Sequence, residues 1–387
     1  MIVDIGPVAH GGACVARHEG RVIFVRHALP GERVRVEITE RKKSYWRGDA
    51  VEILDASPDR VPAPCRYAGT CGGCDFQHVS AAGQLRLKTA VLREQLTRLA
   101  GLPESEVSDY TVEALPGGLL GWRTRMQYSV DNTGRPGLRG HRSRDLVPID
   151  DCLIADDRIR ATDVLGRNWK GSNVVGVAAS DADEVSVYTQ RDRRGKARLV
   201  SGPPLAEHIV SGHWFRLDAE AFWQPHTLAA DTLASRVTEL SQPADAETVW
   251  DLYAGAGLFA AVLADEVGPS GRVIAVESDT RAATAANLAD LPQVEVRRSD
   301  VAEAVHHLPS PDIVVLDPPR SGAGADLVKA IAAAAPRVIT YVACDPAALA
   351  RDLKTFAANG YSISTLEAYD AFPMTHHFET IAVLRRD

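Results

Sequence analysis

Apolar and polar residues alternate in short runs through residues 1 to about 56, as in Arg21-Val22-Ile23-Phe24-Val25 and Glu32-Arg33-Val34-Arg35-Val36-Glu37-Ile38, with glycine and Pro-Gly turns between them. A period of two broken by frequent turns predicts a small β-barrel. Pro58, Pro62 and Pro64 mark a linker, after which residues 80–100 take up helical spacing, with Leu85, Val91, Leu92, Leu96 and Leu99 on one side and a stop near Gly101. Strand-like alternation returns from Trp122 to about Trp214. From about residue 245 short apolar runs (248–252, 273–277, 294–296, 312–316, 338–342) alternate with Ala-rich helical stretches, the pattern of a doubly wound α/β domain. Residues 361–367 and 379–384 read as a closing antiparallel hairpin. The expected fold is therefore α/β in three parts: a barrel over 1–56, a central mixed β domain over 57–215, and a Rossmann-like domain over 216–387, on which the helix 80–100 is placed to pack.

Composition narrows the class. With 387 residues, 45% of them hydrophobic, the chain buries ample core, and no stretch approaches the roughly eighteen apolar residues of a membrane span. No basic region precedes an apolar core at the N-terminus, so a cytoplasmic location is expected. A net charge of −8 argues against a protein that coats nucleic acid, but local basic patches remain. Arg41-Lys42-Lys43-Ser44-Tyr45-Trp46-Arg47 interleaves cations with aromatics, as phosphate neutralisation with base stacking requires; a plain solvated hairpin fits the same residues. Trp122-Arg123-Thr124-Arg125-Met126-Gln127-Tyr128 and Leu138-Arg139-Gly140-His141-Arg142-Ser143-Arg144 alternate basic with apolar or small residues, which in a strand gathers the cations on one face.

The six cysteines carry more chemistry. Cys65, Cys71 and Cys74 form a C-x5-C-x2-C cluster and Cys152 lies downstream, a set of four thiolates that suits a zinc ion or an iron-sulfur cubane alike. Cys344 ends an apolar run, and Cys14 has no evident task.

The first parallel strand runs into Asp251-Leu252-Tyr253-Ala254-Gly255-Ala256-Gly257-Leu258-Phe259-Ala260. Gly255, Gly257 and Ala260 satisfy G-x-G-x-x-A, and Glu277 at the end of the next strand is placed for a ribose hydroxyl of a nicotinamide or of S-adenosylmethionine; a structural tight turn is the third reading. Asp317-Pro318-Pro319-Arg320 at the fourth strand end shifts the balance to S-adenosylmethionine: its paired prolines fix an extended backbone with carbonyls and a carboxylate toward the ligand cleft, and D-P-P-x at this place is similar to a common signature of S-adenosylmethionine enzymes that methylate a planar nitrogenous ring. Asp300 is placed for the adenine amino group or as a helix N-cap.

Cys344 precedes a helix beginning near Pro346, whose amides are expected to lower its thiol pKa; a buried, inert cysteine is the alternative. A nucleophilic cysteine beside a methyl donor answers a particular difficulty. Carbon 5 of a pyrimidine attacks a methyl group only after a thiolate has added to carbon 6, and a base must then remove the carbon 5 proton. Glu379 in His376-His377-Phe378-Glu379-Thr380 is the candidate base, with a surface glutamate or either histidine as alternatives.

With these residues in view the chain resembles the RNA uridine C5-methyltransferase family over nearly its whole length. The resemblance implies a TRAM domain for the barrel and a [4Fe-4S] cluster on Cys65, Cys71, Cys74 and Cys152. It implies Cys344 as nucleophile and Glu379 as proton acceptor, with Gln224, Tyr253, Glu277, Asp300 and Asp317 contacting S-adenosylmethionine or the target base. It further implies an RNA substrate, ribosomal rather than transfer RNA, with Tyr45, Trp46, Arg123, Arg125 and Arg142 holding the opened strand. This chain departs from the family at His226, where asparagine is common, at Leu258, and at Ala343-Cys344-Asp345-Pro346 in place of S-C-N-P. An iron-sulfur, nicotinamide-dependent oxidoreductase and a non-catalytic RNA-binding protein are the competing classes.

Overall fold

The computed structural model describes residues 1–191, 195–279 and 283–386. The N-terminal segment closes into a five-stranded barrel of β1 (Ile2–Val8), β2 (Cys14–His18), β3 (Arg21–Arg26), β4 (Arg33–Arg41) and β5 (Tyr45–Asp55), ordered β1-β2-β3-β5-β4. Alternation sorts its faces: Val34 and Val36 point inward while Arg33, Arg35 and Glu37 meet solvent. Cys14 finds its task here, buried in the barrel with its thiol donating to Ala28 O at 3.2 Å. The buried Glu32 carboxylate ties barrel to linker by accepting from Leu29 N, Ser57 N and Arg60 Nε.

After the linker, Ser80 caps the helix Ala81–Gln95 through Gly83 N, and a π-turn over Leu96–Ala100 ends at Gly101, whose φ of 81° admits glycine readily. β6 (Val112–Ala114) follows. The central sheet, ordered β12-β11-β10-β7-β8-β9, comprises β7 (Arg125–Val130), β8 (Pro136–Arg139), β9 (Leu146–Pro148), β10 (Val174–Ala179), β11 (Val185–Gln190) and β12 (Arg198–Ser201). It is antiparallel at every pairing rather than mixed, since among the described residues no helix of crossover length links its strands. A hairpin of β13 (Leu205–Val210) and β14 (His213–Asp218) leads out of it.

The C-terminal sheet holds eight strands in the order β17-β16-β15-β18-β19-β21-β20-β6. β15 (Thr248–Leu252), β16 (Arg272–Glu277), β17 (Val294–Arg298), β18 (Ile313–Leu316) and β19 (Val338–Ala343) are parallel, and β20 (Tyr361–Asp370) and β21 (Glu379–Arg386) form the antiparallel hairpin. β6 adds to the far edge, parallel to β20, so the chain before the central sheet contributes a strand to this one. One apolar core runs from the barrel interior through Leu87, Val91 and Leu92 to Leu353, Phe356 and the sheet. A second covers the opposite face under the helices Ala229–Ser241 and Leu258–Val267.

Lys88 and Asp370 form a buried ion pair between the helix Ala81–Gln95 and the end of β20, with Lys88 Nζ also donating to Phe372 O at 3.1 Å. Burial pushes each group toward its neutral form, the lysine down and the aspartate up. Each charge therefore depends on the other, and Lys88→Met should cost about 3–5 kcal/mol in urea unfolding, whereas adding Asp370→Leu should recover much of that loss. The pair anchors the segment between β20 and β21, and hence the approach to Glu379.

Candidate functional site

Strand order reverses beside β15, where the chain runs outward through β16 and β17 and returns on the other side as β18 and β19, so a crevice opens at the C-terminal strand ends. The turn after β15 enters it with Tyr253 at φ 64°, Gly255 at 54° and Gly257 at 92°. A Cβ at Gly255 would meet nothing within 4 Å, leaving room for a ligand, whereas one at Gly257 would strike Leu288. Glu277 Oε2 accepts from Gly255 N at 2.8 Å and Oε1 from Asp279 N at 2.6 Å, so this carboxylate first of all shapes the turn. Asp251, fully buried, accepts from Ala260 N at 2.8 Å and is pushed up to about 7 by burial and by Asp317 and Glu277. Asp300 is an exposed N-cap, accepting from Ala302 N and Glu303 N on the crevice rim.

The other wall follows from strand register. β19 and β21 pair with Ala343 opposite Thr380, and one further step sets Cys344 opposite Glu379. Directly opposed residues of an antiparallel pair carry their side chains on one face, about 5 Å apart at Cβ. Asp317 at the end of β18 and the exposed Arg320 complete the group, and Arg320 Nη2 lies 3.1 Å from His377 Nε2. Glu379 is buried with Oε2 unpartnered. Burial and the neighbouring Asp317 raise it well above the usual carboxylate range against the pull of Arg320, and burial pushes Asp317 up to about 7. The Cys344 thiol does not follow the expected lowering. Burial, then Glu379 and Asp317, push it up to about 12, outweighing Arg320 and the adjacent helix start. That helix, Pro346–Ala357, is capped by Asp345 through Ala348 N at 2.8 Å, so part of its positive end is already satisfied.

Gln224 is buried in the loop after β14, with Oε1 unpartnered. Its neighbour His226 stacks on Trp122 at 5.8 Å, and Thr124 N donates to Pro225 O at 2.8 Å, which stitches this loop to the start of the central sheet. Arg123 and Arg125 do share one face, but that face lines the cysteine cavity instead of open solvent. Arg125 Nη1 donates to Ala219 O and Ala221 O at 2.8 Å each, bracing the loop, while its buried Nε and Nη2 have no hydrogen-bond partner among the described residues. Arg142 is exposed. Tyr45 and Trp46 are half-buried, with Arg47 at 4.8 Å over the first and Arg21 and Arg41 at 5.0 and 5.2 Å over the second, so intramolecular cation–π contacts already use these rings.

Cys65, Cys71, Cys74 and Cys152, all free thiols, line one cavity of about 580 Å³. Among the described residues no group of three or more cysteine, histidine or carboxylate side chains is arranged to hold a metal ion. Burial pushes Cys74 up to about 12 and Cys152 to about 11. Arg320 and Asp251 join the site without a role legible in the sequence; the signal there is their residue type, a cation closing the Asp-Pro-Pro segment and a carboxylate opening the glycine turn.

Comparison with known proteins places this geometry. Residues 1–51 match the TRAM domain and residues 307–387 match tRNA (Uracil-5-)-methyltransferase. An RNA methyltransferase of Streptomyces avermitilis is 44% identical over 99% of this chain and 97% of its own, and one of Streptomyces coelicolor is 43% identical over 99% and 92%. The crystal structure of Pyrococcus abyssi tRNA (uracil-54, C5)-methyltransferase with S-adenosyl-L-homocysteine superposes with a TM-score of 0.72 over 99% of both chains at 23% identity, which establishes a shared fold. A TRAM barrel, a methyltransferase fold with its glycine turn at the switch point, and full-length relatives identify the chain as a member of the RNA methyltransferase family, its C-terminal segment being of the uracil-5 type.

Proposed function

We propose that the protein forms 5-methyluridine in structured RNA, with Cys344 as nucleophile and Glu379 as base. The observation that carries this reading is the register of β19 against β21, which sets a thiol and a buried carboxylate side by side at the mouth of the cofactor crevice. Cys344 loses its thiol proton to solvent and adds as the thiolate to carbon 6 of uracil, so that carbon 5 becomes the nucleophile; S-adenosylmethionine would supply the methyl group. Glu379 takes the carbon 5 proton, and the electron pair of that bond expels the Cys344 thiolate as the double bond re-forms. Tyr253, Gly255, Glu277, Asp300 and Asp317 would hold the cofactor, with Gly255 leaving open space for it and Asp317 offering a carboxylate that would favour a cationic ligand. The unpartnered Gln224 Oε1 offers an acceptor to the uracil edge.

Cys65, Cys71, Cys74 and Cys152 line one cavity and would supply four thiolates to a metal centre, zinc or iron-sulfur alike; the family resemblance favours a [4Fe-4S] cluster. Its role is structural, since methyl transfer moves no electron from the protein. Ribosomal RNA is the proposed substrate on the strength of the TRAM barrel joined to a cysteine cavity. Nucleoside mass spectrometry of ribosomal and transfer RNA from a deletion strain tests both parts: 5-methyluridine should fall in ribosomal RNA and return on complementation. A loss confined to transfer RNA overturns the substrate, and unchanged 5-methyluridine in both overturns the reaction.

A further inference from the structure

The loop between β1 and β2 leaves the barrel and reaches the catalytic turn. His10 Nε2 lies 3.2 Å from Asp345 Oδ2, and Asp345 is the residue directly after Cys344. Two residues on, Gly12 sits at φ 82° so close to the segment before β21 that a Cβ there would come within 2.9 Å of His376 Cβ and 3.3 Å of Phe76. The barrel loop is thus packed on both chain segments that supply the proposed nucleophile and base. This contact was not legible in the sequence.

We propose that His10 is a positioning residue for the methyl-transfer reaction: its imidazole holds the Asp345 carboxylate and so fixes the turn that presents Cys344. Asp345 already caps the helix Pro346–Ala357 through Ala348 N, so one oxygen serves the helix while the other faces the barrel. The contact matters because Asp345 is one of the carboxylates that, with Glu379 and Asp317, oppose ionisation of the Cys344 thiol, while Arg320 favours it. Asp345 is the member of that set held from the barrel. At this position the family commonly carries asparagine, which caps a helix equally well but offers the barrel an amide in place of a carboxylate oxygen. The histidine and the aspartate therefore make sense as a pair, and neither does alone. Through them the N-terminal barrel becomes part of the catalytic turn rather than a separate RNA clamp.

The test reads the sulfur itself, in the full-length protein, as the rate at which methyl methanethiosulfonate modifies Cys344, resolved from the other five cysteines by peptide mass spectrometry. At about pH 7, His10→Ala should slow modification by roughly threefold to tenfold, because the Asp345 carboxylate loses its partner beside the thiol, and His10→Gln, which can still donate to that carboxylate, should slow it less. Asp345→Asn should speed it, and adding His10→Ala to Asp345→Asn should change little further. Equal slowing by His10→Ala in both backgrounds, or no effect in either, overturns the proposal. A second arm rests on the uridine C5 reading: His10→Ala should lower kcat for RNA methylation more than it raises KM. If wild type methylates no uridine, that reading fails, while the modification rates still decide the role of His10.

Discussion

Cys344→Ala is expected to remove 5-methyluridine formation altogether, a loss of about 10⁴-fold or more in kcat, while calorimetry shows S-adenosylmethionine binding unchanged. The size of the effect follows from the substrate. Carbon 5 of uracil is a poor nucleophile while the ring remains conjugated, so a residual rate with the thiol gone would have to come from direct attack, which positioning alone accelerates too little. Cys344→Ser should fail almost as completely, since an alkoxide is far harder to form than a thiolate. The same variant separates the thiol's chemistry from its packing. Cys344 is only half-buried, and alanine removes one atom beyond Cβ at the mouth of a crevice, so thermal stability should move little. Turnover that survives the substitution refutes the nucleophile, whatever the RNA. The free enzyme holds this thiol up near 12, hence protonated at neutral pH, and ionisation must accompany binding of a cationic cofactor and the RNA. The rate of covalent capture by a 5-fluorouridine RNA should accordingly rise steeply when the cofactor is present.

Much of the architecture was legible because it follows from local pattern. The period of two over the barrel, the apolar runs of the parallel strands and the glycine turn at Gly255 and Gly257 each depend on neighbours in the chain, and each is found where the pattern puts it. What depends on distant parts of the chain was not legible. β6 is only three residues long, too short to show a period, and only its pairing with β20 makes it a strand of the C-terminal sheet. The direction of the Cys344 shift was misread for the same reason: the adjacent helix is visible in sequence, but the carboxylates of Glu379 and Asp317 reach the thiol through strand order. Arg125 shows a third limit. Period correctly gathered it with Arg123 on one face, yet nothing in the spacing tells whether that face meets solvent or closes over four cysteines. Asp300 has two readings in the sequence, and the structure realises the N-cap.

Glu379→Gln should trap the reaction halfway. The amide keeps the size of the side chain and the packing of a buried position, but it cannot accept the carbon 5 proton, so methyl transfer proceeds and elimination of Cys344 stalls. A covalent enzyme–RNA adduct carrying the transferred methyl group should accumulate on a denaturing gel, and release of product should fall by about 10²–10⁴-fold. Normal release of methylated RNA would assign the base to another residue, with His377, held against Arg320, the first to test. An independent check comes from stability. Burial and Asp317 raise the Glu379 pKa in the folded state, so over the range between its unfolded value of about 4.3 and that raised value the native protein binds the proton that the unfolded chain has lost. Stability from this group is therefore complete below the unfolded pKa and declines as pH rises through the window. Glutamine has no proton to lose, so the variant without ligands should unfold at a higher urea concentration than wild type near pH 7, and the two curves should meet below about pH 4. The substitution that cripples release would then stabilise the fold, as expected of a carboxylate buried for its basicity at a cost in stability.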